Sequence, residues 1–457
     1  MKRPVSLSSA LLAAFAVETL SSTWCLKLHS WIPVFSILYF LSGLAIAGLL
    51  LRLPELRVPA LAKSPWRNPA IQRSAILIGL TALAIYSWCL YWFDDMPIDI
   101  TNADMLPIIK VMAERFLAGR HSHVYDPIPT IWHGVQPIYL PAMWLPYVPS
   151  IALGIDMRWT AIAGVLFAFG AFIFLYKPSG SHGPISGSPG PVSRSHGPIS
   201  GSQGSIPGSH ASFFLGVLAF LLFWWIVADN TPGIVSVSEE GVVIGYYVFL
   251  VLALASGKPW LTGIAISLCM LSRYALVGWI PAYMLWLVLE KRTRQLSIIS
   301  LTGILCFVLL FLIPVGGATV TRLAHLPGNY VSFAARVWKD SPDVFSTAPG
   351  LAWFFGRNGT TILHCLLIFF TFTLPMIFTI AATRKQTASR KQTATNEQPA
   401  PSRPKFANIP LAALKLSLVV FYCFIDVPYL YLFYTSSLVS LIILTLAIRR
   451  PAAGPAA

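Results

Sequence analysis

Residues 94–141 read DDMPIDITNADMLPIIKVMAERFLAGRHSHVYDPIPTIWHGVQPIYLP. The stretch holds six of the chain's seventeen acidic residues: Asp94, Asp95, Asp99, Asp104, Glu114 and Asp126. On either side the chain turns apolar, and residues 74–93 and 159–176 carry no charged side chain. Runs of this length cross ~30 Å of hydrocarbon as helices. A closed β-barrel would instead alternate apolar and polar residues with period two. The sequence therefore predicts an all-α polytopic membrane protein with an acid-rich loop hung between its spans.

Composition agrees. Of 457 residues, 56% are hydrophobic and 11% charged, against about 25% charged in an ordinary soluble protein. The net charge of +15 does not point to nucleic acid. The basic residues cluster in short loops between apolar segments, as the positive-inside tendency expects. Cys25, Cys89, Cys269, Cys306, Cys365 and Cys423 lie in or beside apolar segments without a CxxC pair. They read as small buried hydrophobes, with no disulfide or metal framework.

Upstream of the loop, residues 1–93 hold the N-terminal transmembrane helices. Lys2 and Arg3 precede a weakly apolar segment at 5–24, interrupted by Glu18, and spans follow at 31–51 and 74–93. Retaining the first segment, rather than cleaving it as a signal peptide, gives the better charge count. Arg52, Arg57, Lys63, Arg67 and Arg73 make the loop before 74–93 cytoplasmic, which puts residues 94–153 outside. Within that loop, 103–119 reads as an amphipathic surface helix. Val111, Phe116 and Leu117 face one side, Lys110, Glu114 and Arg115 the other, and Gly119 is the C-cap. Pro137, Pro141, Pro146 and Pro149 break 137–153 into a re-entrant or interfacial segment; a straight span is the alternative.

Downstream, a transmembrane helix at 154–176 leads to a Gly/Ser/Pro linker at 177–211, where HGPISGS occurs at 182–188 and 196–202. Residues 212–316 carry further spans, broken at Ser272-Arg273-Tyr274, with Lys291, Arg292 and Arg294 marking a cytoplasmic loop. A second extracytoplasmic loop follows at 317–350. C-terminal transmembrane helices occupy 351–457, with a basic cytoplasmic loop at 383–408. The count is roughly eleven spans, in a range of about ten to thirteen.

Several side chains point to chemistry. A carboxylate at the outer surface can take a proton from a sugar hydroxyl. Asp104 stands before the surface helix, where the dipole favours its ionised form; plain N-capping is the alternative. Asp94 and Asp95 suit interfacial charges or metal ligands. Arg273, between two short apolar segments, suits a phosphate, or a pairing with Glu239 or Glu240. Those two open a span, serving its dipole or an acceptor or metal site. Arg322, His325, Arg336, Lys339 and Arg357 form an excess of outer cations that fits an anionic ligand or lipid headgroups. Trp88, Tyr91 and Trp92 read as interface anchors. No GxxxxGK[ST] loop is present, which argues against an ATP-driven pump.

The run Asp104-Met-Leu-Pro, AERFLAG ending at Gly119, Val124-Tyr125-Asp126 and PIYLPAMWLP at 137–146 resembles the outer loop of GT-C glycosyltransferases. It is most similar to glycosyltransferase family 87 mannosyltransferases. Met105 stands where that family has an aromatic, Tyr139-Leu140-Pro141 replaces Tyr-Pro-Pro, and Arg273 stands where a Lys is common. The resemblance implies a GT-C-like enzyme that moves a sugar, mannose being the first candidate, from a polyprenyl-phosphate donor. The acceptor would be a lipid or glycan on the extracytoplasmic side. It further implies inversion with Asp104 as general base and Arg273 on the donor phosphate. Tyr125, Tyr139, Arg336, Glu239 and Glu240 complete the candidate substrate-binding set. No cofactor is required by the motifs, although a divalent cation stays open. Compact loops favour a bacterial inner membrane over the endoplasmic reticulum. Two readings compete with the enzyme: a transporter or flippase of lipid-linked or small anionic substrates, and a non-catalytic subunit of a glycan assembly complex. Polar residues gathered in outer loops rather than mid-span favour the enzyme.

Overall fold

The structure, a computed structural model, describes residues 6–24, 28–53, 56–58, 69–131, 134–176, 208–228, 238–317, 319, 325–340, 350–395, 408–425 and 430–448. Most of the linker, at 177–207, and the part of the basic stretch at 396–407 lie outside the described residues, as do Arg322 and the side chain of Arg357. Among the described residues every element is helical, apart from one antiparallel bridge between Ile128 and Val135.

The N-terminal helices are α1 (Leu7–Trp24), α2 (Ile32–Leu50) and α3 (Pro69–Asp95). The acid-rich loop contains α4 (Met105–Leu117) and two short helices, α5 (Pro141–Trp144) and α6 (Val148–Ala152), joined by a 3-10 turn at Leu145–Tyr147. Next come α7 (Arg158–Leu175), α8 (Gly208–Ala228) and α9 (Glu240–Ser256). Then follow α10 (Pro259–Met270), α11 (Trp279–Leu289) and α12 (Thr293–Val315), the last with a π turn at Val308–Leu312. The C-terminal part has α13 (Leu326–Asp340), α14 (Ala352–Thr395), α15 (Ile409–Phe424) and α16 (Leu430–Ile448).

Among the described residues seven helices are long and apolar enough to cross a membrane: α2, α3, α7, α8, α12, α14 and α16. Shorter apolar helices, α9, α10, α11 and α15, pack among them. Helix α16 is apolar on all sides and nearly every residue is buried, as expected of a central helix. It touches α1, α7, α8, α9 and α15. Helices α3 and α12 instead leave Ile76, Leu80, Leu83, Leu301, Ile304 and Ile313 exposed. Such a girdle suits lipid rather than water.

Glycine sets one crossing that matters for the site. A Cβ on Gly241 would lie 2.1 Å from the Ala161 carbonyl oxygen, and one on Gly164 would lie 2.0 Å from the Gly241 oxygen. Helices α7 and α9 therefore meet backbone to backbone, the packing that small residues four apart, Gly241 and Gly245, permit.

Three expectations change. Helix α4 buries Met105, Leu106, Ile108, Ile109, Met112 and Ala113 against α5 and α6, while Leu117 is exposed. Protein rather than lipid covers it, so the apolar face is rotated from the Val111–Phe116–Leu117 side. Arg115 is no solvent-facing charge: its guanidinium donates to the carbonyls of Asp126 (2.5 Å) and Pro127 (2.9 Å) and clasps the loop. The polar stretch at 317–350 contains helix α13, with Pro327 at the second helical position, where its missing N–H costs nothing. The basic stretch after 383 continues α14 to Thr395, since Lys, Arg, Gln and Ala there are good helix formers and no Pro or Gly interrupts them.

Candidate functional site

Where α10 ends, the chain breaks. Arg273 is extended (φ −142°, ψ 146°) between α10 and the 3-10 turn Tyr274–Leu276. The break is held by the acid-rich loop: Ala142 N–H of α5 donates to the Leu271 carbonyl (2.9 Å). Tyr246 of α9 donates its hydroxyl to the Ala142 carbonyl (3.1 Å). The prolines of 137–149 thus fall in a knuckle of short helices rather than a straight span, and its Ala142 backbone groups find partners in Tyr246 of α9 and Leu271 at the end of α10.

Arg273 does what one of the two sequence readings required. Its Nη2 donates to Glu239 Oε1 (2.8 Å) and Glu240 Oε2 (2.7 Å). Both carboxylates are fully buried, while the Arg273 side chain keeps 18% exposure. Thr435 of α16 donates to Glu240 Oε1 (2.6 Å), and Glu240 N–H donates to Ser238 Oγ (3.0 Å). The cluster is unbalanced: one guanidinium serves two carboxylates. It is also incomplete. Glu239 Oε2, Arg273 Nε and the buried hydroxyls of Tyr147 and Tyr247 have no hydrogen-bond partner among the described residues. Tyr147 lies in electrostatic contact with both glutamates. Unmet donors and acceptors of this kind are costly unless a ligand or water meets them.

Asp104 lies within electrostatic range of the same cluster. It stands at the head of α4, half-buried, and its side chain makes no capping hydrogen bond. It is in electrostatic contact with Glu239. The α4 start is pinned to α16, since Tyr431 donates to Met105 Sδ (2.7 Å). Glu239, Glu240 and Arg273 therefore form one cluster, as the pairing reading of Arg273 expected, and Asp104 lies within electrostatic range of it.

The remaining candidates do not join them. Tyr125 is buried and accepts from Trp144 Nε1 (3.1 Å). Burial pushes its phenol above the ordinary range, so it stays neutral and acts as packing for the loop. Tyr139 is buried in the extended approach to α5. Arg336 is exposed on α13, two turns beyond Asn329, whose side chain donates to Gln136 Oε1 (3.0 Å) and ties α13 to the acid-rich loop. Asp94 and Asp95 are exposed at the end of α3. Asp99 is held below the usual carboxylate range by the Thr101 backbone N–H and hydroxyl, in a local turn. Among the described residues no three His, Cys, Asp or Glu side chains gather as metal ligands would.

Tyr147, Tyr431 and Thr435 escaped notice in the sequence. The signal available was a cluster of hydroxyls, Tyr431, Thr435, Ser436, Ser437 and Ser440, inside an otherwise apolar span, where each needs a partner. No protein-family model, no curated protein and no solved structure matches this chain.

Proposed function

We propose that the chain is an integral-membrane glycosyltransferase of GT-C type, resembling family 87, acting at the outer face of the membrane. The observation that carries this reading is the Asp104 carboxylate, at the head of α4, in electrostatic range of a charge-unbalanced Glu239–Glu240–Arg273 cluster. Asp104 takes the proton of an acceptor hydroxyl. The hydroxyl oxygen then attacks the anomeric carbon of the donor sugar with inversion. The bond from that carbon to phosphate oxygen breaks, and polyprenyl phosphate leaves with the electron pair. Arg273 keeps its Nε donor for that phosphate, which gains charge in the transition state. The glutamates hold the guanidinium in place, and a divalent cation would offset their excess charge.

The test uses full-length protein in nanodiscs, polyprenyl-phosphate mannose and polyprenyl-phosphate glucose as donors, and membrane lipid acceptors. Asp104→Asn should lower transfer by about 10²–10⁴-fold with an unchanged thermal midpoint. Transfer undiminished in Asp104→Asn removes the base assignment. Absence of transfer from either donor removes the donor class.

One observation favours the transporter reading. Glu18 and Lys415 form a fully buried pair inside the bundle, and intramembrane charges are functional candidates by default. Proton-coupled flux of a lipid-linked substrate across liposomes, abolished by Glu18→Gln, would support that reading over the enzyme.

A further inference from the structure

The other end of the same helices holds a second site. Helix α9 runs from Glu240 to Ser256, so its last turn lies about 24 Å from the carboxylate pair. Around that turn is a cavity of about 400 Å³ whose lining includes Arg57, Tyr283, Trp286, Arg292, Gln295 and Asn408. Among the described residues no acidic side chain lines it. Three helices of twelve or more residues, α10, α12 and α15, begin at its wall, at Pro259, Thr293 and Ile409. Their N-terminal dipole ends add positive potential to that of the two arginines.

The wall is built rather than collapsed. Asn408 accepts from Leu56 N–H (2.8 Å) and donates to the Leu53 carbonyl (3.0 Å), fixing the turn before Arg57. Trp279 donates to the Pro410 carbonyl (2.9 Å) and stacks on Tyr283 at 4.7 Å. Tyr283 in turn stacks on Trp286 at 5.9 Å, and the Arg292 guanidinium sits 4.8 Å from the Trp286 ring. The Trp286 indole is 5% exposed, and its Nε1–H has no hydrogen-bond partner among the described residues. Cationic groups, helix N-termini and a buried indole donor at one wall suit an acceptor-rich ligand.

We propose that this cavity binds a phosphate-bearing anion, supplied by a phospholipid headgroup or as free phosphate. Arg57 and Arg292 carry the charge recognition, and Trp286 donates a neutral hydrogen bond.

The experiment uses the full chain in detergent. Retention of phosphatidylglycerol against phosphatidylcholine is read by native mass spectrometry. Thermal stabilisation by inorganic phosphate is read against chloride at equal ionic strength. Wild type should retain phosphatidylglycerol or be stabilised by phosphate, and whichever arm responds identifies the source. Arg57→Gln and Arg292→Gln should each weaken the response about tenfold, as expected for one charge-assisted hydrogen bond. Trp286→Phe, which keeps the ring and removes the donor, should weaken it about threefold, within the range of one neutral bond. Arg294→Gln, off the lining, should behave as wild type and reports on folding and bulk charge. Wild type indifferent to both probes overturns the proposal. So does a response unchanged in Arg57→Gln, Arg292→Gln and Trp286→Phe.

Discussion

Two buried ion clusters flank α16, and they differ in how completely they are satisfied. At one, Lys415 pairs with Glu18 and donates to Ser436 Oγ (2.6 Å), while Ser440 donates to Glu18 Oε2 (2.9 Å). One positive charge meets one negative charge, both at 0% exposure. At the other, Arg273 faces two glutamates, keeps 18% exposure, and the group leaves several polar atoms unmet. Thr435 serves the second and the adjacent Ser436 the first. Neighbouring positions on one helix thus anchor a closed pair and an open cluster. The closed pair is built to hold α1, α15 and α16 together. The open one retains binding capacity, which a purely structural pair would have used up.

The sharpest way to break this contrast is to remove half of the closed pair. Lys415→Met strands Glu18 in the bundle and should cost about 3–5 kcal/mol, the usual penalty for an orphaned buried charge. Replacing both partners, Glu18→Leu with Lys415→Met, should recover most of that, since a well-packed apolar pair often equals a buried ion pair. Thermal unfolding in detergent checks both. If the double variant is no more stable than the single, the pair is not an isolated structural clasp and the transporter reading gains. Under the proposed function, glycosyl transfer should follow stability in these variants and show no separate loss.

A smaller effect is expected at the crossing that sets the open cluster. Gly241→Ala would push a methyl group into the Ala161 carbonyl and shift α9, with Glu240 at its first turn. Overpacking of this kind costs about 1–3 kcal/mol. Here activity should fall further than stability does, because the displaced turn carries the carboxylates. Equal losses in both would show that the position of Glu240 is not what limits transfer.

The open cluster was half legible. Asp104 stood out as a lone carboxylate before a periodic segment, and Ser272-Arg273-Tyr274 as a polar break between apolar runs. Glu239 and Glu240 were visible as a pair, but their joint hold on one guanidinium depends on distances that no local pattern encodes. The closed pair was less legible still. Glu18 read as a flaw in a weak span, because its partner lies 397 residues away and Lys415 sits within an otherwise apolar run. The expectation that polar groups avoid mid-span failed for that reason. The face of α4 was misjudged because Met105, Ile108, Ile109 and Met112 offer a second apolar stripe. Only the α5–α6 knuckle decides between the two. The GVVIG run at 241–245 could have been read as a close helix crossing from its spacing alone.

The finest distinction between the clusters rests on single hydroxyls. Tyr39 borders the closed pair and donates to the Phe433 carbonyl (3.1 Å). Tyr39→Phe should therefore cost about 1 kcal/mol, the net worth of one buried hydrogen bond plus the stranded carbonyl. Tyr147 borders the open cluster, and its buried hydroxyl has no hydrogen-bond partner among the described residues. Tyr147→Phe breaks no bond in the unliganded protein, so its thermal midpoint should stay within the equivalent of about 0.5 kcal/mol of wild type. The same substitution should raise the KM for a sugar donor whose hydroxyl the phenol receives, at little change in kcat, the pattern of a lost ground-state contact. A Tyr147→Phe protein as destabilised as Tyr39→Phe would mean that the hydroxyl is already satisfied without ligand. The open cluster would then be as closed as its neighbour.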